Sequence, residues 1–178
     1  MDVQETILPG VLIIKPKVFC DNRGEFLETF QEKKYKDIGI KYNFVQDNLS
    51  VSSKGTLRGL HFQVKKPQGK LVSCSYGNVF DVAVDIDIKS KTFGKYVGVE
   101  LSAENHMQLF IPPGYAHGFC VLSEYAHFSY KCTDFYYPED ESGLIWNDPN
   151  VNIKWPISNP VLSTKDKGNL LLSELCCT

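Results

Sequence analysis

The sequence predicts an all-β fold, an antiparallel sandwich or barrel with short helical segments at its periphery. Short apolar or alternating runs recur at spacings of about ten residues, and clusters of Gly, Pro, Asn and Asp separate them. Of the 178 residues, 43% are hydrophobic and 22% are charged, as in an ordinary globular chain. We therefore expect residues 1–178 to form one domain that buries about two-thirds of its unfolded surface.

The elements follow from local patterns in chain order. The first predicted strand covers 11–14, and turn chemistry at 21–24 precedes a strand-like run at 25–30. Residues 31–40 are rich in Lys and Glu and end beside Gly39, so they are the best helix candidate. Further strands are predicted at 44–51, 57–63, 70–75, 78–86, 95–101, 107–111, 116–122 and 126–132. The remaining third has loop chemistry, and Ser163 is expected to cap a short last helix at 163–166.

Composition and charge argue against several classes of function. A net charge of −2 provides no field for nucleic acid or for a membrane surface. Residues 1–5 lack the basic start of a signal peptide, and no apolar run approaches a transmembrane length. The six cysteines form no CxxC pair, so they indicate neither a zinc site nor a redox motif; they are Cys20, Cys74, Cys120, Cys132, Cys176 and Cys177. We expect a cytoplasmic protein with reduced thiols.

The run from Leu57 to Gln63 carries the most distinctive chemistry. Arg58 has the planar donor fork that suits a phosphate, and His61 has a proton that is loose near neutral pH. An edge strand with a solvated Arg and a satisfied His is the alternative that these residues leave open. In an ideal strand the two side chains project to opposite faces, because their spacing is odd. For both to reach one ligand, Gly59 must allow a bulge or twist, or Arg58 must lie at a strand end, and we predict such an irregularity.

Polar residues also occur where a core is expected. Gln46 and Asn48 share a strand face, which either faces solvent or lines a polar cup inside a barrel. Lys70 begins a strand, as a solvated end residue or as a cation that stabilises a substrate oxygen. Tyr130 is either a core aromatic residue or a proton donor.

His117 lies between small residues in the run 112–119, which resembles the second motif of the cupins. Metal-binding cupins present a His-x-His pair with a carboxylate. Here Gln63 and Gly59 leave His61 alone, and His106 and His127 lack ligand spacing. The sequence therefore predicts no metal site.

Eight motifs in register resemble one family. They lie at 23–28, 46–50, 57–63, 69–72, 79–86, 113–119, 130–131 and 163–166. In this order they are similar to the dTDP-4-dehydrorhamnose 3,5-epimerases, the dTDP-sugar epimerase branch of the cupins, over about residues 3–172. The resemblance implies a cupin-type jelly-roll barrel. It also implies epimerisation at C3 and C5 of dTDP-4-dehydro-6-deoxyglucose, on the way to dTDP-L-rhamnose, without cofactor or metal, in a homodimer that exchanges strands.

The resemblance also assigns roles to residues. It implies His61 as the base, Asp166 as its orienting partner, Lys70 as the group that stabilises the enolate and Tyr130 as the acid. The positions that it implies for substrate binding are Arg23, Glu28, Gln46, Asn48, Arg58, His117, Glu141 and Lys165.

Four other functions compete with this one. A mono-epimerase would act at C3 or C5 alone on a related dTDP-keto-sugar, and a 3,4-ketoisomerase has a related fold. A non-catalytic sugar-nucleotide binding module would need neither His61 nor Tyr130, and a metal-dependent dioxygenase would need the ligand set that is missing here.

Overall fold

Thirteen strands and three short helices make up most of the computed structural model, which describes residues 1–175. Cys176 and Cys177, which the sequence predicts to be reduced thiols outside any CxxC pair, lie outside the described residues. The strands are β1 (Asp2–Glu5), β2 (Leu12–Lys15), β3 (Val18–Asp21), β4 (Gly24–Leu27), β5 (Gln46–Ser53), β6 (Leu57–Gln63), β7 (Lys70–Tyr76), β8 (Asn78–Asp85), β9 (Tyr96–Ser102), β10 (Gln108–Ile111), β11 (Tyr115–Val121), β12 (Tyr125–Cys132) and β13 (Glu141–Gly143). The helices are α1 (Glu32–Asp37), α2 (Thr164–Lys167) and α3 (Leu172–Leu175), and a 3-10 turn covers Pro138–Asp140.

The strands form two facing antiparallel sheets and a separate hairpin. The six-stranded sheet has the order β1-β2-β10-β7-β12-β5, and the five-stranded sheet has the order β13-β6-β11-β8-β9. Strands β3 and β4 pair only with each other. This architecture confirms the predicted all-β, cupin-type antiparallel sandwich with short peripheral helices.

The main core lies between the two sheets. Phe128 of β12 stacks on Phe119 of β11 with ring centroids 4.0 Å apart, and Val72 and Leu109 are buried around them. Burying side chains of this size contributes about 1.5–3 kcal/mol each, which fixes the separation of the sheets. The cavity described below lies between these same sheets.

A second core covers the outer face of the five-stranded sheet. Val82 and Val84 of β8 are buried there, against Leu144 and Leu172 of the C-terminal segment. Strand β8 is therefore buried on both faces, and Asp81, on the face opposite Val82, points between the sheets. The C-terminal segment, which has loop chemistry, holds its place through this packing.

Some element bounds differ from the sequence predictions. The helix predicted at 31–40 covers only Glu32–Asp37, because the Gln31 side chain accepts a hydrogen bond from Lys34 N and the chain turns away at Gly39, where φ is +98°. The strand-like run predicted at 25–30 ends at Leu27, the last residue of β4. Strands β1, β3 and β13 were not predicted, because they are short and their residues are mostly polar or exposed. None of the helices in residues 1–175 has the length and apolar content needed to cross a membrane.

Candidate active site

Two adjoining cavities open between the sheets. The larger has a volume of about 480 Å³ and the smaller about 280 Å³. His61, Lys70 and Tyr130 line both, so these three side chains form the wall where the cavities meet. The predicted base, enolate-stabilising cation and acid therefore lie at one place.

A bulge in β6 puts Arg58 and His61 on the same cavity. His61 pairs with His117 of β11, whereas Arg58 pairs with Phe119, so β6 contains one residue more than its partner between these pairs. Gly59 occupies the bulge with φ of +120°, and a Cβ there would lie 2.7 Å from Gly118 Cα. The Gly59–Leu60 peptide bond is cis. The irregularity that the odd spacing predicted is confirmed, and both side chains line the larger cavity.

His61 is hydrogen-bonded to the carboxylate of Asp166. The distance from His61 Nε2 to Asp166 Oδ1 is 2.6 Å. Asp166 lies in α2, where the Ser163 hydroxyl accepts from Asp166 N, and a parallel bridge between Thr56 and Val161 brings this segment to β6. Burial alone would raise the pKa of Asp166, but the hydrogen bond and charge of His61 hold it below its ordinary value. The ionised carboxylate therefore keeps a proton on Nε2, and Nδ1 carries the free lone pair.

Glu141 lies on the other side of the imidazole. Its Oε1 is 4.0 Å from His61 Nδ1, because β13 pairs with β6 at this point. Its Oε2 accepts hydrogen bonds from Lys165 Nζ and from the Tyr136 hydroxyl, the latter at 2.5 Å. Burial would raise the pKa of Glu141, but these two donors and the charges of His61 and Lys165 lower it. His61 thus lies between two ionised carboxylates.

Lys70 and Tyr130 come from adjacent strands of the opposite sheet. Lys70 pairs with Cys132 and Tyr130 with Val72, so both side chains project from the same face. Burial lowers the pKa of Lys70, and the charges of Cys132, Asp81 and Glu141 act against that shift. Burial raises the pKa of Tyr130, with Arg58 opposing. The phenol therefore keeps its proton at neutral pH and can serve as a donor.

The structure adds a second histidine–carboxylate pair that the sequence reasoning missed. His117 Nε2 lies 2.9 Å from Asp81 Oδ2, and both side chains are buried. Within residues 1–175, Asp81 Oδ1 has no hydrogen-bond partner. Burial lowers the pKa of His117, and the neighbouring Asp81 opposes the shift. The alternating sequence of β8 could have indicated this pair, because it puts Asp81 on the inner face with Ala83.

Gln46 and Asn48 point inward rather than into solvent. Both line the smaller cavity, and Gln46 Nε2 donates to Asn48 Oδ1 at 3.1 Å. The outward positions of β5 carry Leu49, which is 62% exposed, and Val51, which is 55% exposed. Of the two alternatives for this strand, the structure shows the polar cup.

Arg23 and Glu28 do not reach the cavities of their own chain. Arg23 lies in the β3–β4 turn and forms an exposed ion pair with Asp21. Glu28 pairs with Lys34 on the outside of the six-stranded sheet. Neither lines either cavity, whereas the other ten predicted site residues do.

The donor set does not resemble a metal centre. Within the described part of the chain, no group of three or more His, Cys, Asp or Glu side chains has the arrangement of a metal site. The groups at the cavity wall are instead those of acid–base chemistry: a base with a free lone pair, a protonated phenol and a buried cation. Fold and site together define a cupin-type isomerase that moves protons at carbon.

Comparison with known proteins gives the family. The chain belongs to the dTDP-4-dehydrorhamnose 3,5-epimerase family, whose model matches residues 5–174. It is 57% identical to the dTDP-4-dehydrorhamnose 3,5-epimerase of Shigella flexneri over 168 residues, which cover 93% of both chains. It is 38% identical to the dTDP-4-dehydrorhamnose 3-epimerase of Streptomyces niveus, covering 94% of this chain and 82% of that one.

A solved structure agrees with this assignment. The dTDP-6-deoxy-D-glucose-3,5-epimerase of Legionella pneumophila, in complex with dTDP-4-keto-L-rhamnose, superposes with a TM-score of 0.94. The two chains are 52% identical, and the match covers 98% of this chain and 96% of that one. The predicted family and its class of activity, epimerisation, are therefore confirmed.

Proposed function

We propose that this protein inverts C3 and C5 of dTDP-4-dehydro-6-deoxyglucose to give dTDP-4-dehydro-L-rhamnose, on the path to dTDP-L-rhamnose. The observation that carries the proposal is the His61–Asp166 hydrogen bond of 2.6 Å, made at the wall that Lys70 and Tyr130 share. The reaction needs a base, an acid and a stabilised enolate. It needs no cofactor, since the C4 ketone of the sugar already acidifies its neighbouring carbons.

His61 starts the reaction by removing a proton next to the ketone. Nδ1 is the acting nitrogen, because Asp166 keeps the proton of Nε2. Asp166 then stabilises the imidazolium that forms, as the carboxylate does in other Asp–His pairs. Negative charge develops on the C4 oxygen at the same time, and Lys70 offsets it within a partly enclosed site.

Inversion requires a new proton from the other face of the sugar. Tyr130 supplies it, since its raised pKa keeps the phenol protonated until the carbanion forms. General acid and base groups of this kind each contribute about 10²–10⁴ in rate. His61 and Tyr130 are therefore the catalytic pair, with Lys70 as the electrostatic partner.

The remaining polar groups hold the nucleotide sugar. Besides Lys70, the larger cavity is lined by the cations Arg58 and Lys165, which suit a diphosphate. Gln46 and Asn48 present amides to the smaller cavity, and Glu141 and His117 offer further polar contacts. These roles account for the substrate-binding positions on the cavity wall.

Arg23 and Glu28 suggest how a homodimer completes the site. Neither lines either of the two adjoining cavities of its own chain: Arg23 lies in the turn between β3 and β4, and Glu28 directly follows β4. The edge strands β1 and β5 leave ladder positions open, and β5 exposes Leu49 and Val51. We therefore infer a dimer with strand exchange, in which these two residues serve the partner's substrate. The free thiols among the described cysteines fit a reducing cytoplasm.

The activity is tested in deuterated water. The protein is incubated with dTDP-4-dehydro-6-deoxyglucose, and label at C3 and C5 is followed by NMR. We expect label at both carbons, and His61→Ala should abolish it while still binding the nucleotide. Label at C3 alone or at C5 alone would support the mono-epimerase alternative; the Streptomyces niveus relative is named a 3-epimerase. Label at neither carbon would overturn the proposal.

The shared site is tested by subunit complementation. Arg23→Ala and His61→Ala chains are unfolded together, refolded as a mixture and assayed against each variant alone. In a hybrid dimer, the site with an intact His61 receives the intact Arg23 of its partner, so activity should return. Failure of the mixture to exceed the Arg23→Ala variant alone would contradict exchange of this residue.

A further inference from the structure

We propose that Glu141 is the proton exit of the site, and that it returns His61 to its basic form between inversions. The inference rests on the proposed function and deepens it. Each inversion leaves His61 as an imidazolium and Tyr130 as a phenolate. One proton must therefore leave the site and one must enter it before the pair can act on another carbon.

The imidazole offers one direction for that proton to leave. Asp166 is bound to Nε2, so the proton taken from carbon resides on Nδ1. Glu141 Oε1 lies 4.0 Å from Nδ1, which is too far for a hydrogen bond to the neutral ring. Once Nδ1 carries a proton and the ring a positive charge, a small movement of the carboxylate forms a charge-assisted hydrogen bond. Glu141 thus approaches only when there is a proton to remove.

The far oxygen of Glu141 connects this contact to solvent. Its own side chain is 10% exposed, but its Oε2 partners are open: the Lys165 side chain is 55% exposed and Tyr136 is 48% exposed. The two donors hold the carboxylate at the boundary between cavity and water. They also lower the pKa of Glu141, against the effect of burial, so the carboxyl group does not retain a proton that it receives.

The other two carboxylates near His61 are buried and already bound to a histidine. Asp166 is buried and must keep its hydrogen bond to Nε2 to orient the ring. Asp81 is fully buried and is bound to His117. Glu141 is therefore the carboxylate with both a free oxygen toward Nδ1 and a route outward.

The proton balance closes through this route. The Nδ1–H bond breaks as an O–H bond forms on Glu141, and that proton passes to water. Tyr130 takes one proton from water in return, so no oxidant or other reactant is needed. Deprotonation of the first carbon does not depend on this proton transfer. Deprotonation of the second carbon, and every later turnover, does.

The test compares the first inversion with those that follow. Glu141→Gln keeps the size and the hydrogen-bonded position of the side chain but cannot accept a proton. Glu139→Gln removes an equal charge two residues away, from an exposed side chain, and is the matched control. Each protein is mixed with equimolar sugar nucleotide in deuterated water, quenched rapidly and analysed for label at C3 and C5.

We expect the Glu141→Gln protein to lose far less of its first-carbon labelling rate than of its steady-state rate, and to accumulate singly labelled sugar. Its steady-state rate should fall about 100-fold, the contribution of one proton-transfer group. Added formate, a small carboxylate that can take the same proton, should restore part of the lost steady-state rate. The steady-state rate of Glu141→Asp should lie between those of the wild type and Glu141→Gln. Glu139→Gln should behave like the wild type.

Two results would overturn the inference. One is an equal fall in first-carbon and steady-state rates, which would mean that Glu141 acts only in binding or deprotonation. The other is a steady-state loss that formate leaves unchanged. If the wild-type protein labelled neither carbon, the proposed function itself would fail, so the two failures are distinguishable.

Discussion

His61 and Asp166 are 105 positions apart in the chain, yet their side chains meet at 2.6 Å. Strand β6 supplies the histidine and the first turn of α2 supplies the aspartate. The contact leaves one imidazole nitrogen free and places negative charge behind it.

Removing the charge of Asp166 should weaken the base without changing binding. In Asp166→Asn the imidazolium loses its ionised partner, so kcat should fall about 10²–10⁴-fold, while affinity for dTDP stays the same. NMR assays of epimerisation and calorimetry with dTDP give the two quantities. Asp37→Asn, on the exposed side of α1, is the control. A parallel loss of dTDP affinity would show that Asp166 acts mainly on the shape of the pocket.

Replacing Tyr130 by Phe should separate proton removal from inversion. The phenyl ring keeps the packing against Phe128, whose ring centroid is 6.0 Å away, but has no proton to give. Deuterium from the solvent should still enter next to the ketone, while the inverted product disappears. Chiral analysis of the labelled sugar checks this outcome. Full inversion by Tyr130→Phe would mean that another group is the acid.

The alkaline limit of activity should be set by Lys70. A cation that offsets the enolate acts only while it is protonated, and burial lowers the pKa of Lys70 below its ordinary value of 10.5. Activity should therefore decline as pH rises through a value below 10.5, whereas burial shifts the pKa of Tyr130 in the opposite direction, upward from its ordinary value of 10.0. A pH profile of kcat measures the limit.

The same profile tests Asp81. Its charge helps to keep Lys70 protonated, so Asp81→Asn should move the alkaline limit to lower pH. A variant that loses stability but keeps the limit unchanged would contradict the electrostatic role.

Gly59 should be required for both stability and activity. An alanine Cβ would lie 2.7 Å from Gly118 Cα and 2.7 Å from His117 O, at a φ of +120°. Gly59→Ala should therefore cost about 2–4 kcal/mol of unfolding free energy. It should also displace the Arg58 and His61 side chains on either side of the bulge. Gly39→Ala has positive φ but open space, so it should cost only about 1–2 kcal/mol. Urea unfolding compares the two, and equal costs would exclude the close approach as the cause.

Local patterns in the amino-acid sequence were enough to predict most strands and the chemical types of the site residues. Alternation is local, so β8, β11 and β12 were predicted within about one residue of their observed bounds. The odd spacing puts Arg58 and His61 on opposite faces of a regular strand, so the requirement that both reach one ligand predicted the bulge.

Which groups meet depends on contacts between residues far apart in the chain. The pairing of His117 with Asp81 depends on the register between β11 and β8, and no local pattern determines register between distant strands. The same holds for Glu141, which short β13 brings within 4.0 Å of His61. Tertiary structure also shows that Arg23 is remote from its own cavity, since a hairpin's position depends on what it packs against. Local sequence thus fixes which side chains a strand presents, and long-range packing fixes their partners.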